Sequence, residues 1–402
     1  PFGFFWASPS PPLFATPFID RGTGLNGGQR FPPQFPSPTA SARNPDNSID
    51  WSQFLTIASS PGFYYKNRLP YAEEYSFSIQ RQIKTRSLIS LAYVGTEGHG
   101  LLSNLEANPG NPALCLSVNK PSQVAPGSPI CGPMGENGVY TRADGTVING
   151  TRSPLGPAFG SNGYYITIGN SVYNSFQATF KHQTGPLELL AGYTWSKAID
   201  DSSGWSNQIN PVNYRLSRGL SSFDVAQNFV ASYHYELPFA QLFRPGRLTS
   251  GWVITGITRF STGLPITMTE RDDLSLLGTF SPGAGPDVDR PNYSPGNLNI
   301  QDPRTGLPYF NKSLFSKEAL GRLGTADVRF FHGPGINNWD MALLKDTHIS
   351  ERVLSQFRFE LFNAFNHAQF NIPSGNINSG SFGKVTSARD PRIAQVALKF
   401  MF

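Results

Sequence analysis

The chain closes on Ala394-Gln395-Val396-Ala397-Leu398-Lys399-Phe400-Met401-Phe402, and this stretch decides its fold. Apolar side chains occupy every second position, at Ala394, Val396, Leu398, Phe400 and Phe402. Gln395 and Lys399 lie between them, so one face of the segment is apolar and the other is more polar. A period of two is typical of a β-strand whose two faces meet different surroundings. Hydrocarbon on one side and a water-filled lumen on the other would account for both faces, which predicts a strand of a transmembrane β-barrel.

The same alternation recurs along the chain, in segments of about the 9–11 residues that a tilted strand needs to cross a bilayer. Regular examples contain Tyr75, Phe176, Leu187, Phe229 and Phe357. Less regular strands are predicted over 87–95, 252–261 and 339–349. The sequence therefore predicts an all-β protein with an antiparallel, outer-membrane type of barrel.

Short and long connections alternate between these predicted strands. Gln183-Thr184-Gly185-Pro186 is a tight turn, whereas long stretches cover about 96–170, 197–225, 262–338 and 366–391. Outer-membrane barrels have short periplasmic turns and long extracellular loops. We therefore expect the long stretches to be extracellular loops.

Composition agrees with a membrane barrel. Charged residues make up 15% of the chain and aromatic residues 13%, with 31 Phe and 15 Tyr, against about 25% charged residues in soluble domains. No stretch approaches the roughly 18 apolar residues of a transmembrane helix, and a closed barrel is the other structure that lipid tolerates. The net charge of +5 is scattered rather than clustered, so we expect no nucleic-acid partner. A β-sandwich core would also alternate, but sandwich strands are shorter, near 5–6 residues.

Two cysteines, Cys115 and Cys131, lie in one segment rich in Gly, Pro and Asn. This arrangement predicts a disulfide in an oxidising compartment, with two unrelated thiols as the alternative. Closing a loop of about 15 residues would stabilise the chain by roughly 3 kcal/mol.

Candidate polar sites are few. Lys181, Glu188, Glu236, Arg358 and Glu360 are predicted to project into the lumen, where they would contact a plug or solute or simply hydrate the interior. The loop acids Asp272, Asp273, Asp287 and Asp289 could chelate Ca²⁺, but we favour solvated side chains. The six histidines lack metal-ligand spacing and no nucleophile or phosphate-binding motif is present, so we predict no enzyme, no metal and no cofactor.

Several segments together resemble the C-terminal end of the barrel of Oar-like TonB-dependent transporters. They are 338–345 (Asn-Trp-Asp-Met-Ala-Leu-Leu-Lys), 357–367, Phe382-Gly383 and Arg389-Asp390-Pro391-Arg392. The resemblance covers 71–402, and such transporters have a plug and about 22 strands. Only about nine strands are recognised here, so we expect a partial, open barrel with unpaired edges at Tyr71–Ile83 and 392–402. Residues 1–70 are Pro-rich and predicted to be a loop or extended segment, or the end of missing barrel strands.

The resemblance also implies a location and partners. The last strand, with Val396, Leu398, Phe400 and a terminal Phe402, resembles the signal that the bacterial barrel-assembly machinery reads. The other implied partners are the lipid of a Gram-negative outer membrane, an unknown solute, and the TonB complex through a missing N-terminal plug. The implied function is energy-coupled solute transport by the full-length protein. The alternatives are a non-transporting adhesin or structural barrel, and a secreted all-β glycan-binding module.

Overall fold

The computed structural model describes residues 62–83, 86–204, 207–279 and 288–402. Nine long strands dominate this part of the chain, and they are β1 (Tyr71–Ile83), β2 (Ser87–Glu106), β3 (Gly163–Thr184), β4 (Leu187–Asp200), β5 (Gln227–Glu236), β6 (Trp252–Ser261), β7 (Ile336–His348), β8 (Leu354–Phe362) and β9 (Ile393–Met401). Most of the Pro-rich segment, residues 1–61, lies outside the described residues.

The nine strands form one antiparallel sheet whose order in space is their order in the chain, β1 to β9. Each of the seven inner strands therefore pairs with the strand before it and the strand after it. Within the described residues β1 and β9 have one long neighbour each and do not pair with one another, so the sheet is open. The expected unpaired edges at Tyr71–Ile83 and 392–402 are confirmed.

The register gives the sheet one apolar and one polar face. One row of paired residues crosses six strands through Leu187, Tyr235, Ile254, Leu343, Phe359 and Val396. The adjacent row, one residue along each strand, is Glu188, His234, Thr255, Ala342, Glu360 and Gln395. Because side chains alternate between faces, the two rows point in opposite directions.

No second layer covers the apolar face in the described part of the chain. Phe77 is 67% exposed, Val396 63% and Trp195 62%. A two-layer sandwich would bury these side chains between its sheets. An uncovered apolar face of this extent needs another apolar phase, which a bilayer supplies.

Two strands are longer than the sequence predicted. β2 has 20 residues and β3 has 22, so both ends of the expected loop over 96–170 are strand. The register shifts between Gly98 and Leu101, and Gly100 has a φ of 60°. A bulge of this kind changes the phase of the alternation, and the glycines around it carry no side chain that would show it. The prediction that this strand ends at Gly95 was wrong for that reason.

The remaining elements are short. Two-residue and three-residue strands cover Gly62–Phe63, Val139–Thr141, Val147–Asn149, Gln208–Ile209, Gly219–Leu220, Asn292–Tyr293 and Phe315–Ser316. The helices are α1 (Pro112–Leu116), α2 (Phe239–Leu242) and 3-10 turns at Pro121–Gln123, Tyr214–Ser217, Pro303–Thr305 and Lys312–Leu314. None of the helices in the described residues is long and apolar enough to span a membrane.

Four long loops leave the same side of the sheet, because they follow every second strand. We call them loop A (107–162), loop B (201–226), loop C (262–335) and loop D (363–392). Loop C carries most of a hydrophobic cluster, and its buried members are Ile266, Met268, Tyr309, Phe310, Phe315, Ala326, Phe331 and, from loop D, Phe382. The loops therefore fold into a packed body over one end of the sheet.

Backbone hydrogen bonds join loop C to each of the other three loops. Gly110 of loop A donates to the carbonyl oxygen of Leu277 over 2.7 Å. Leu220 of loop B donates to Arg329 over 2.9 Å, and Tyr309 donates to Gly383 of loop D over 2.7 Å. Loop C is therefore the loop that contacts all three of the others in this body.

Candidate functional site

The polar face of the sheet borders a cavity of about 620 Å³. Side chains of that face from six successive strands, β3 to β8, line it. One cavity can contact six neighbouring strands only if the sheet curls toward it. The polar face is therefore the concave, inner face, and the apolar face is the convex one.

The register places all five residues predicted for the lumen on the inner face. Lys181, Glu188, Arg358 and Glu360 line the cavity, whereas Glu236 lies outside its lining. A guanidinium nitrogen of Arg358 lies 2.8 Å from Oε1 of Glu360. Residues two apart on a strand share a face, which is why these two side chains meet.

Further polar residues line the cavity, among them Asp340 on β7 and His234 on β5. Oδ1 of Asp340 accepts a hydrogen bond of 2.8 Å from the backbone N–H of Asn363, where β8 ends. Sequence reasoning missed Asp340 as a lumen residue, although its position two residues before Ala342 in an alternating strand was the available signal. The cavity wall thus carries charges of both signs and suits a polar occupant.

A disulfide holds loop A together. The sulfur atoms of Cys115 and Cys131 are 2.01 Å apart, and both residues are buried. They pack in a cluster with Val118, Tyr140 and, from loop C, Leu276. The disulfide therefore lies at the contact between loop A and loop C.

Buried charges also connect the loops. Arg329 of loop C lies 3.2 Å from a carboxylate oxygen of Asp200 at the end of β4, and both side chains are almost fully buried. His332 contacts Asp224 of loop B, with 2.7 Å between Nε2 and Oδ2. Because breaking a buried ion pair leaves an uncompensated charge, these contacts fix loop C to loop B and to the end of β4.

Glu136 forms a second buried contact between loop A and loop C. Its carboxylate lies 3.8 Å from the guanidinium of Arg152. Burial away from water, followed by the neighbouring Asp273 carboxylate, raises the pKa of Glu136 to about 8. Asp273 in turn accepts hydrogen bonds from the backbone N–H groups of Met134 and Gly278, at 2.9 and 2.8 Å.

Three of the four loop acids considered for Ca²⁺ lie in the described part of loop C, where the backbone carbonyl oxygen of Asp289 accepts a hydrogen bond of 3.0 Å from Glu270. Asp273 serves the loop contact just described, and Asp287 lies outside the described residues. Asp272 lies beside Glu270 and Glu318, which sequence reasoning missed. Nothing in the alternation of the strands could have revealed this group, since all three residues lie in loop C.

A family model for the outer membrane beta barrel domain matches residues 4–395. The chain belongs to this family. It is therefore an outer-membrane protein, and its convex face carries exposed aromatic side chains such as Phe77 and Trp195. No curated protein matches the chain.

Solved outer-membrane proteins resemble this barrel domain weakly. The outer membrane transporter YddB from Escherichia coli is 10% identical with a TM-score of 0.42, and the match covers 86% of this chain and 34% of that one. The siderophore receptor PirA from Acinetobacter baumannii is 11% identical with a TM-score of 0.38, covering 83% and 32%. The FrpB iron transporter from Neisseria meningitidis is 11% identical with a TM-score of 0.38, covering 85% and 32%. All three TM-scores lie below 0.5, and the chain spans about a third of each of these proteins.

Proposed function

We propose that this barrel domain forms part of the wall of a TonB-dependent, Oar-like outer-membrane transporter that moves a solute in its full-length form. The observation that supports it most is the cavity on the concave face, which carries Lys181, Glu188, Arg358 and Glu360. Charged groups facing a wet lumen are tolerated in a barrel and offer contacts for a polar solute or a plug. The segments around Trp339 and Phe357 that resemble Oar-like transporters support the subtype.

The partners follow from this proposal. Residues 71–402 would be the C-terminal part of the barrel, with residues 1–70 as a Pro-rich extended segment or the end of preceding strands. Outer-membrane lipid would cover the convex face, and the barrel-assembly machinery would read Val396, Leu398, Phe400 and Phe402 on β9. The TonB complex would act through a plug encoded upstream. Catalysis, a cofactor and nucleic acid have no part in the proposed role.

Expressing the complete reading frame tests the proposal. We expect an upstream plug with a TonB box, and co-purification of the full-length protein with the periplasmic domain of TonB. Deletion of the box is the matched control and should abolish co-purification while the barrel still reaches the outer membrane. A complete protein that has no plug, or that does not bind TonB, would exclude energy-coupled transport.

A non-transporting adhesin or structural barrel is the second candidate. Backbone hydrogen bonds join loop C to loops A, B and D. This observation favours the adhesin, because a packed loop body can present a rigid surface outside the cell. The TonB experiment separates it from the transporter, since an adhesin needs no energy coupling. The secreted glycan-binding alternative is disfavoured, because the chain belongs to an outer-membrane family.

A further inference from the structure

Three carboxylates converge at the base of loop C. Oxygen atoms of Glu270, Asp272 and Glu318 all lie within 4.8 Å of one another. Backbone hydrogen bonds hold the strand-like stretch before them against loop D, with Thr269 donating to Gly375 over 3.0 Å and Ile377 donating to Thr269 over 3.1 Å. The group therefore lies at the junction of two loops rather than on a free surface.

Two of these carboxylates are buried without hydrogen-bond donors. Glu270 is 0% exposed and Glu318 is 5% exposed. No described residue donates a hydrogen bond to either oxygen of either side chain. Both side chains belong to the convergent group, so their oxygens face a shared space.

Glu106 shows how this protein satisfies a buried carboxylate elsewhere. It is 2% exposed and accepts hydrogen bonds from the backbone N–H groups of Asn108 and Asn162 and from the hydroxyl of Ser161, at 2.8, 2.6 and 2.5 Å. Donors of this kind offset the loss of water around a carboxylate. Glu270 and Glu318 lack them, so their charge calls either for a bound cation or for a shared proton.

Lys317 supplies one positive charge to the group but cannot balance it. Its ammonium contacts Asp272 and lies 3.8 Å from Oε1 of Glu270. Asp272 also accepts a hydrogen bond of 2.9 Å from the side-chain amide of Asn378 in loop D. Three carboxylates face one ammonium, and the Lys317 side chain is 48% exposed and able to swing out into water. Burial and the neighbouring carboxylates raise the pKa of Glu270 to about 10, the effect expected where negative charge is undercompensated.

We propose that Glu270, Asp272 and Glu318 bind one Ca²⁺ ion that joins two segments of loop C where this loop contacts loop D. Three carboxylates without His or Cys form a hard oxygen site, which suits Ca²⁺ and Mg²⁺ rather than zinc or copper. Ca²⁺ binds oxygen at about 2.3–2.6 Å, so its ligands can lie up to about 5 Å apart. The oxygens of this group fall within that limit. Mg²⁺ demands a tighter octahedral shell and keeps several waters, so Ca²⁺ is the better fit.

Calorimetric titration of the purified full chain in detergent with CaCl₂ tests the site. We expect one Ca²⁺ per chain with a Kd on the order of 10⁻⁴–10⁻³ M, as in extracellular calcium modules, and weaker binding of Mg²⁺. Glu318→Gln and Glu270→Gln each remove a ligand charge and should weaken Ca²⁺ binding at least about tenfold. Asp302→Asn is the matched control, because Asp302 is an exposed loop C carboxylate that pairs with Arg304 outside the group.

Lys317→Met should change the affinity for Ca²⁺ in the opposite direction to the two glutamine variants. Because the ammonium competes with the cation for Asp272 and Glu270, its removal should tighten Ca²⁺ binding several-fold. This variant keeps all three carboxylates, so it tests the site even if a glutamine variant does not fold.

Either of two results would overturn the proposal. One is a wild-type chain that shows no Ca²⁺ binding at 10 mM Ca²⁺, roughly ten times the weakest expected Kd. The other is Ca²⁺ binding that Glu318→Gln and Lys317→Met leave unchanged. In the first case Glu270 and Glu318 would share a proton, and Glu318→Gln would stabilise loop C with no calcium present.

Discussion

Glu136 links the stability of the loop body to pH. Its pKa rises from the usual 4.5 to about 8, mainly because the carboxyl is buried and secondly because Asp273 is next to it. The folded chain therefore keeps a proton that the unfolded chain has lost between pH 4.5 and 8. This contribution to stability is fully present below pH 4.5 and is lost as the pH rises through about 8.

Glu136→Gln should remove much of that decline, because the amide stays neutral. We expect the variant to match the wild type near pH 4.5 and to be more stable near pH 8, as measured by the proteolysis rate of loop A at both values. Asp144→Asn is the control, since a hydrogen bond from the backbone N–H of Thr146 lowers the pKa of Asp144. An unchanged pH profile in Glu136→Gln would show that another group titrates.

The disulfide gives a second prediction at the scale of single residues. Cys115 and Cys131 are 16 positions apart, and both are buried at the contact of loop A with Leu276. Replacing both with Ala should destabilise loop A by roughly 3 kcal/mol, through the lost cross-link. Faster proteolysis of loop A in the double variant is the measurement. Reductant should speed the proteolysis of loop A in the wild type and leave the rate of the double variant unchanged. An equal proteolysis rate of the wild type before and after reduction would contradict the prediction.

Leu189 and Leu190 test the two faces of a single element. They are neighbours on β4, so Leu190 shares the inner face with Glu188, whereas Leu189 pairs with Tyr233 on the convex face. Leu189→Arg would place a charge in lipid and should cost on the order of 2 kcal/mol, between the values for the bilayer centre and its interface. Leu190→Arg should cost much less, because water reaches that side. Urea unfolding of both variants in lipid vesicles measures the difference, and equal losses would contradict the assignment of the faces.

Period-two alternation predicted most of the elements because the two faces of a barrel strand meet different solvents over many residues. It placed Phe359 and Val396 on one face and Glu188 and Glu360 on the other, as the register has them. It failed where the bulge at Gly98 shifts the phase of β2. The alternation also could not predict that Glu270 and Glu318 lie together, since only the packing of loop C brings these two positions together.

At the scale of the whole molecule, the sheet and the loop body depend on different physics. The convex face of the sheet leaves its apolar side chains exposed, whereas the loops bury their own apolar side chains, such as Phe310 and Ile266, and use ion pairs such as Asp200–Arg329. The loop body therefore needs no membrane for its packing, and the sheet needs no second layer. The open edges at β1 and β9 are where the sheet would accept further strands.

The orientation of the whole molecule is testable with two epitope insertions. Gly145 lies in the exposed turn of loop A between Val139–Thr141 and Val147–Asn149, with open space around it. Gly246 lies in the exposed link between β5 and β6, on the opposite side of the sheet. Exposed turns tolerate insertions, so both variants should fold. Because long loops face outward in outer-membrane barrels, an antibody should label intact cells carrying the tag at Gly145 and should reach the tag at Gly246 only after permeabilisation. The reverse labelling pattern would place the loop body in the periplasm, where it could not capture a solute from outside the cell.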